Sequence, residues 1–211
     1  MSKDGALVCS HDLTVTRRSN AARLYPDLVD DQGNIKLMDL ELSEIQAIEI
    51  TDDEGRGSYR LMSFQEFLDL VQRLNAGKNR MVGIIPELKA PGLHRAQGLP
   101  MEAKLLARLL EAGHGDHPEL VILQGFEQES MRRLGEEQAS PFPLMLCLGK
   151  NTTPEDLISV AEYCQGIAPH RSAIEDPETG ATTDLIDEAH QLGLRVFPYT
   201  FLDEEESMRR Y

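Results

Sequence analysis

Glu87 and Lys89 stand two positions apart at the end of the apolar run Met81-Val82-Gly83-Ile84-Ile85-Pro86. In a strand, residues two apart project from the same face, so this spacing sets a carboxylate beside an ammonium. Two readings are open for such a pair. A carboxylate at a strand end can ligate a hard cation while its lysine neighbour meets a phosphate. Otherwise the two groups only pair with each other at a sheet edge, a contact worth little in stability. Four further polar groups follow apolar segments in the same way: His11 with Asp12, Gln124, His170 with Arg171, and Tyr199 with Thr200. A histidine that titrates near neutral pH can move a proton, and a tyrosine can pack on a substrate or fill the mouth of a barrel. The remaining histidines carry less. His114-Gly115-Asp116-His117 lies past a helix end and lacks metal-ligand spacing, His94 and Arg95 read more readily as a solvated loop than as a contact with a substrate phosphate, and His190 sits on a surface helix.

The elements that would position these groups are legible from periodicity and punctuation. Ala6–Cys9 reads as a short strand after the turn Ser2-Lys3-Asp4-Gly5. Residues 13–62 show poor periodicity, apart from a brief helix from Ser43 to Ile48, and read as an irregular loop insertion able to cover a site. Ser63-Phe64-Gln65-Glu66 is a capping box that opens a helix with apolar residues at helical spacing. From Met81 onward strands and helices alternate. Strands are expected at Met81–Pro91, Leu120–Gln124, Leu144–Leu148, Gly166–Pro169 and Leu194–Tyr199. Helices are expected at Met101–Ala112, Glu127–Gln138, from Thr153-Pro154 to Tyr163, and Asp184–Leu192, and the acidic run Asp203–Glu206 reads as a further helix start. Such alternation on short connections predicts a parallel sheet, and strand ends rich in polar residues predict a TIM-type (β/α) barrel with too few strands to close. Spaced glycines of a dinucleotide fingerprint are missing, which disfavours a nucleotide-cofactor fold.

Composition narrows the partners. With 21 basic against 36 acidic residues the formal net charge is −15, which argues against a nucleic-acid binder or a partner of anionic membranes, since these need basic stripes. A few local cations can still dominate one pocket, so a small anionic substrate fits. An apolar share of 41% supports a real core in 211 residues. Cys9, Cys147 and Cys164 are widely spaced and read as buried thiols. No run reaches transmembrane length, and no apolar signal region opens the chain.

Taken in order, Ser2-Lys3-Asp4-Gly5, Val8-x-x-His11-Asp12, Pro86-Glu87-Leu88-Lys89-Ala90-Pro91, Ile122-Leu123-Gln124-Gly125-Phe126, Gly166-Ile167-Ala168-Pro169-His170 and Val196-Phe197-Pro198-Tyr199-Thr200 resemble the glycerophosphodiester phosphodiesterases. The resemblance covers nearly the whole chain. It implies a barrel that uses a divalent cation, calcium or magnesium, to hydrolyse a small-molecule glycerophosphodiester to glycerol phosphate and an alcohol. By motif, Glu87 matches a metal carboxylate, Lys89 a position beside the phosphate, and His11 the second catalytic histidine, the acid for the leaving alcohol. Tyr199 stands where the family often has an aromatic that packs on the substrate, or fills the barrel mouth; His170 stands at a position that varies in the family and is given a substrate contact; Gln124 either hydrogen-bonds in the substrate site or supports its neighbours. A cation spread over phosphate oxygens and an acid for a poor alkoxide leaving group are what this reaction needs.

The resemblance also implies what is not present. The family's first catalytic histidine with its arginine, two of its metal carboxylates and its last strand have no counterpart here, so the expectation is a barrel truncated at both ends. Met1 would then be an internal methionine, or the chain a catalytically dead fragment that keeps a phosphate-ester site. The chain as given is expected in the cytoplasm, and an intact parent in the periplasm or outside the cell.

Overall fold

The computed structural model describes residues 1–52, 54–78, 81–149, 154–176 and 179–201, and it divides the chain into two compact units. Met1–Val82 with Pro91–Ala112 forms one unit, and Gly83–Ala90 with the residues from Gly113 onward forms the other.

In the first unit the helices are α1 (Ala21–Leu24), α2 (Leu42–Ala47), α3 (Phe64–Asn75), α4 (Pro91–Ala96) and α5 (Met101–Glu111). The α3 start forms as its sequence dictates. The Ser63 hydroxyl accepts from the Glu66 amide at 3.2 Å, and the Glu66 carboxylate accepts from the Ser63 amide at 2.7 Å. A second such box, between Glu41 and Glu44, opens α2. The region 13–62 is more than a bare loop, because it encloses a core of its own. Val15, Ile35, Leu40, Ile45 and Ile48 are buried there, with Tyr25 and Ile50 packed against them. These side chains arrive from turns, short helices and single bridges such as Thr14–Lys36 and Ser19–Ile50, so no period marks them in the sequence.

Two expectations fail in this unit. Ala6–Cys9 forms no strand: Val8 makes one antiparallel bridge to Ser63, flanked by Cys9 N–H to the Met62 carbonyl at 3.0 Å and Phe64 N–H to the Leu7 carbonyl at 2.8 Å. Its partner turns into α3 at once, so the ladder has nowhere to run. His94 and Arg95 lie on α4 and not on a solvated loop. Pro91 begins that helix, a position where a missing N–H costs nothing. His94 is 3% exposed, its Nε2 3.2 Å from the Met1 amino group. Arg95 donates to the buried Glu102 on α5 at 2.5 Å.

The second unit is an open parallel sheet. Its strands are β1 (Glu87–Leu88), β2 (Leu123–Gly125), β3 (Leu144–Leu148), β4 (Gly166–Pro169) and β5 (Arg195–Val196), neighbours in the order β1-β2-β3-β4-β5. Its helices are α6 (Gln128–Arg132, continued by a π-helical turn over Arg133–Glu137), α7 (Pro154–Val160) and α8 (Leu185–Gln191). β3 and β4 form as expected, because their unbroken apolar runs are buried on both faces. The outer strands are shorter than expected. Only Glu87 and Leu88 of the Met81–Pro91 run pair as a ladder, with a lone bridge from Ile84 to Val121, and Pro86 has no amide to donate. The last strand likewise shrinks to Arg195–Val196, with a separate bridge between His170 and Tyr199. The expected residues Thr153 and Asp203–Glu206 fall outside the described residues.

Close backbone approach selects two glycines. A Cβ on Gly83 would stand 2.5 Å from the Leu120 carbonyl oxygen, and one on Gly166 would stand 2.8 Å from that of Arg195. One sheet face carries Leu88, Leu123, Leu146 and Ile167, and α6 sets the buried Met131 against Gly125 on that side. Burial of each such side chain is worth about 1.5–3 kcal/mol. The other face carries the polar groups.

Candidate active site

Parallel register assembles the polar face. Glu87 pairs with Gln124, Gln124 with Met145 and Met145 with Gly166, so these positions share one face. Residues two further along, Lys89, Phe126, Cys147 and Ala168, project the same way at or near the C-terminal strand ends. Met145, Cys147 and Ala168 make its buried floor, with Ile122 and Tyr199 against it.

On that floor the charged pair is real. Lys89 Nζ donates to Glu87 Oε1 at 3.0 Å, and both side chains are about one third exposed (32% and 28%). The ammonium also lies 5.8 Å from the centre of the Phe126 ring. Phe126 meets Tyr199 edge-on at 5.8 Å, and Tyr199 meets His170 edge-on at 5.4 Å. These edge contacts use the ring quadrupoles and hold the wall in one arrangement. The Tyr199 hydroxyl donates to the Leu148 carbonyl at 3.0 Å, fixing the ring over the sheet. His170 accepts at Nδ1 from the Ser172 amide at 3.2 Å, with the Ser172 hydroxyl 2.7 Å away, which places the proton of the neutral ring on Nε2.

The charges reach the floor beneath them. Burial pushes the Cys147 thiol up to about 12, the Glu87 carboxylate adds to the rise, and the Lys89 ammonium opposes it. The Tyr199 phenol is raised by burial, then by Cys147 and Glu87. Cys147 is therefore an inert thiol at neutral pH.

Five of the sequence-derived site residues thus fall on one sheet: Glu87, Lys89, Gln124, His170 and Tyr199. His11 belongs to the other unit. There its ring is largely exposed (84%), and its Nδ1 lies 2.9 Å from Asp12 Oδ1. Phe126 and Ser172 were missed. Phe126 follows Gln124 by two positions, so the same alternation that selected Lys89 could have found it. Ser172 had no such signal.

A calcium or magnesium site does not fit the groups described. Such ions take six or more oxygen ligands. Glu87 offers one carboxylate and already holds an ammonium. Among the described residues no three His, Cys, Asp or Glu side chains converge as a metal centre, and the His114–His117 turn is no exception. A cation seated on Glu87 would stand near Lys89. Unit charges about 4 Å apart repel by about 4 kcal/mol at a surface-like dielectric, and a divalent ion by about twice that.

A curated glycerophosphodiester phosphodiesterase of Haemophilus influenzae is 24% identical over 248 residues, covering 95% of this chain and 68% of that protein. One from Arabidopsis thaliana is 23% identical, covering 97% and 65%. The chain therefore spans about two thirds of the length of these relatives. Among solved structures, an Oleispira antarctica phosphodiesterase in complex with the product sn-glycerol-3-phosphate superimposes with a TM-score of 0.70 at 16% identity, covering 100% of this chain and 74% of that one. The fold class is accordingly α/β, of the TIM-barrel type, with the barrel left open by the described strands. The profile of the glycerophosphoryl diester phosphodiesterase family matches residues 1–211, and the chain belongs to that family.

Proposed function

We propose that this chain acts on glycerophosphodiesters, hydrolysing them to glycerol phosphate and an alcohol at the C-terminal ends of its parallel strands. The observation that carries the reading is Lys89, an ammonium held at a strand end by Glu87 and walled by Phe126. A phosphodiester monoanion needs a fixed positive charge and an apolar wall for its organic part, and this site supplies both. Family membership adds the reaction class, and the glycerol phosphate bound by the Oleispira neighbour suggests the product. In this reading Lys89 meets a phosphate oxygen, Gln124 and His170 offer hydrogen bonds, and Tyr199 lines the organic end. The resemblance alone gives His11, which belongs to the other unit, the part of acid for the leaving alcohol. The resemblance implies a divalent cation for this reaction, and the described donors do not make its site.

A second reading is favoured by the absence, among the described residues, of a carboxylate cluster able to hold a metal: a phosphate-ester binder that does not turn over. Incubation of the purified chain with glycerophosphocholine, followed by an enzymatic assay for glycerol phosphate, decides between them. Release that falls at least tenfold in Lys89→Ala and His11→Ala supports hydrolysis. Binding of glycerophosphocholine without release supports the second reading.

A further inference from the structure

We infer that Glu87 is the positioning residue of Lys89 and not a cation ligand, so that the strand-end site takes a phosphate group on the Lys89 ammonium without a metal ion. This rests on the phosphate-ester site proposed above and concerns how that site supplies its positive charge.

Three observations carry it. Glu87 Oε1 accepts from Lys89 Nζ at 3.0 Å, so one oxygen that a metal would need is directed at an ammonium. Phe126 lies against the same ammonium at 5.8 Å, on the side chain two positions beyond the register partner of Glu87. A flexible lysine is thereby held between a carboxylate and a ring face, which reduces the rotamer freedom it would lose on meeting an anion. The remaining neighbours on this face are ill suited to a hard cation. Cys147 is a protonated thiol, Met145 and Ala168 are apolar, and Gln124 contributes at most one neutral oxygen. An ammonium needs no such ligand set. It meets phosphate as a point charge with three donors, and its one ion-pair partner among the described residues leaves donors to spare.

The pairing also predicts opposite outcomes for two substitutions of one residue. Glu87→Gln keeps an acceptor oxygen for Lys89 but removes the charge that competes with phosphate. Glu87→Ala removes the acceptor as well. For a metal ligand, both changes would abolish a cation-dependent signal alike.

Calorimetric titration with inorganic phosphate and with glycerol phosphate, in excess EDTA and then in millimolar calcium or magnesium, tests this on the whole chain. The expected result is equal affinity in all three buffers, roughly tenfold weaker binding in Lys89→Ala and Glu87→Ala, and unchanged or tighter binding in Glu87→Gln. The wild-type buffer comparison does not depend on any variant folding. Binding that requires the cation, and is lost in Glu87→Gln, overturns the inference and leaves the hydrolase reading standing. Hydrolysis of glycerophosphocholine with no phosphate binding in EDTA overturns it too. Absence of both binding and hydrolysis in every buffer overturns it together with the proposed function.

Discussion

Tyr199 shows at the scale of one residue how the site is held. Its ring touches His170 and Phe126, and its hydroxyl reaches the Leu148 carbonyl. Tyr199→Phe keeps the ring and loses the bond, so urea denaturation should show a loss of about 1 kcal/mol. Tyr199→Ala also removes the edge contacts and should cost several-fold more. His94 makes a prediction of another kind. Burial first, and the Met1 amino group second, lower its pKa from 6.5 to about 4. Above pH 6.5 the ring is neutral folded and unfolded, and stability does not depend on it. Between pH 6.5 and 4 the unfolded chain takes up a proton that the folded chain refuses, so stability falls on acidification. The loss is on the order of 2–3 kcal/mol by pH 4. Denaturant melts across that range should flatten in His94→Gln.

At the scale of elements, the helix starts and the glycines are the sensitive points. Ser63→Ala removes one half of the α3 capping box and should cost about 1 kcal/mol, read as a lower urea midpoint with an unchanged slope. Gly166→Ala should be worse, since its Cβ would meet the Arg195 backbone oxygen at 2.8 Å and force β4 from β5. What the sequence made legible follows the same division. β3 and β4 are continuous apolar runs buried on both faces, and their ends match the expected ones to the residue. The outer strands β1 and β5 have fewer partners to enforce pairing, and their apolar residues extend well past the ladder: Met81, Val82 and Ile85 are about half exposed. Helix α4 was hidden because Pro91 reads equally as a break and as a first helical residue. Lys89 and Glu87 were legible from alternation alone. That they bind each other is a matter of rotamer and distance, which no spacing rule supplies.

At the scale of the whole molecule, each unit carries a buried cluster of its own. With a net charge of −15 the protein should pass through heparin and DNA columns unretained at physiological salt. Ile48→Ala empties a fully buried position in the 13–62 core and should cost about 2–5 kcal/mol there, with hydrogen exchange accelerating first in that region. The three cysteines, with Cys147 and Cys164 buried and Cys9 half-buried, give the molecule a clock. Burial raises Cys9 to about 11, and Cys147 and Cys164 to about 12. At pH 8 little thiolate exists in the fold, so a disulfide reagent labels the buried Cys147 and Cys164 when their surroundings come apart. Cys9 lies in the first unit and the other two lie in the second. Labelling rates of Cys147 and Cys164 read by mass spectrometry therefore time the opening of the second unit, with the half-buried Cys9 of the first unit as a reference. A phosphate ester bound at Lys89 should slow Cys147 while leaving Cys9 unchanged.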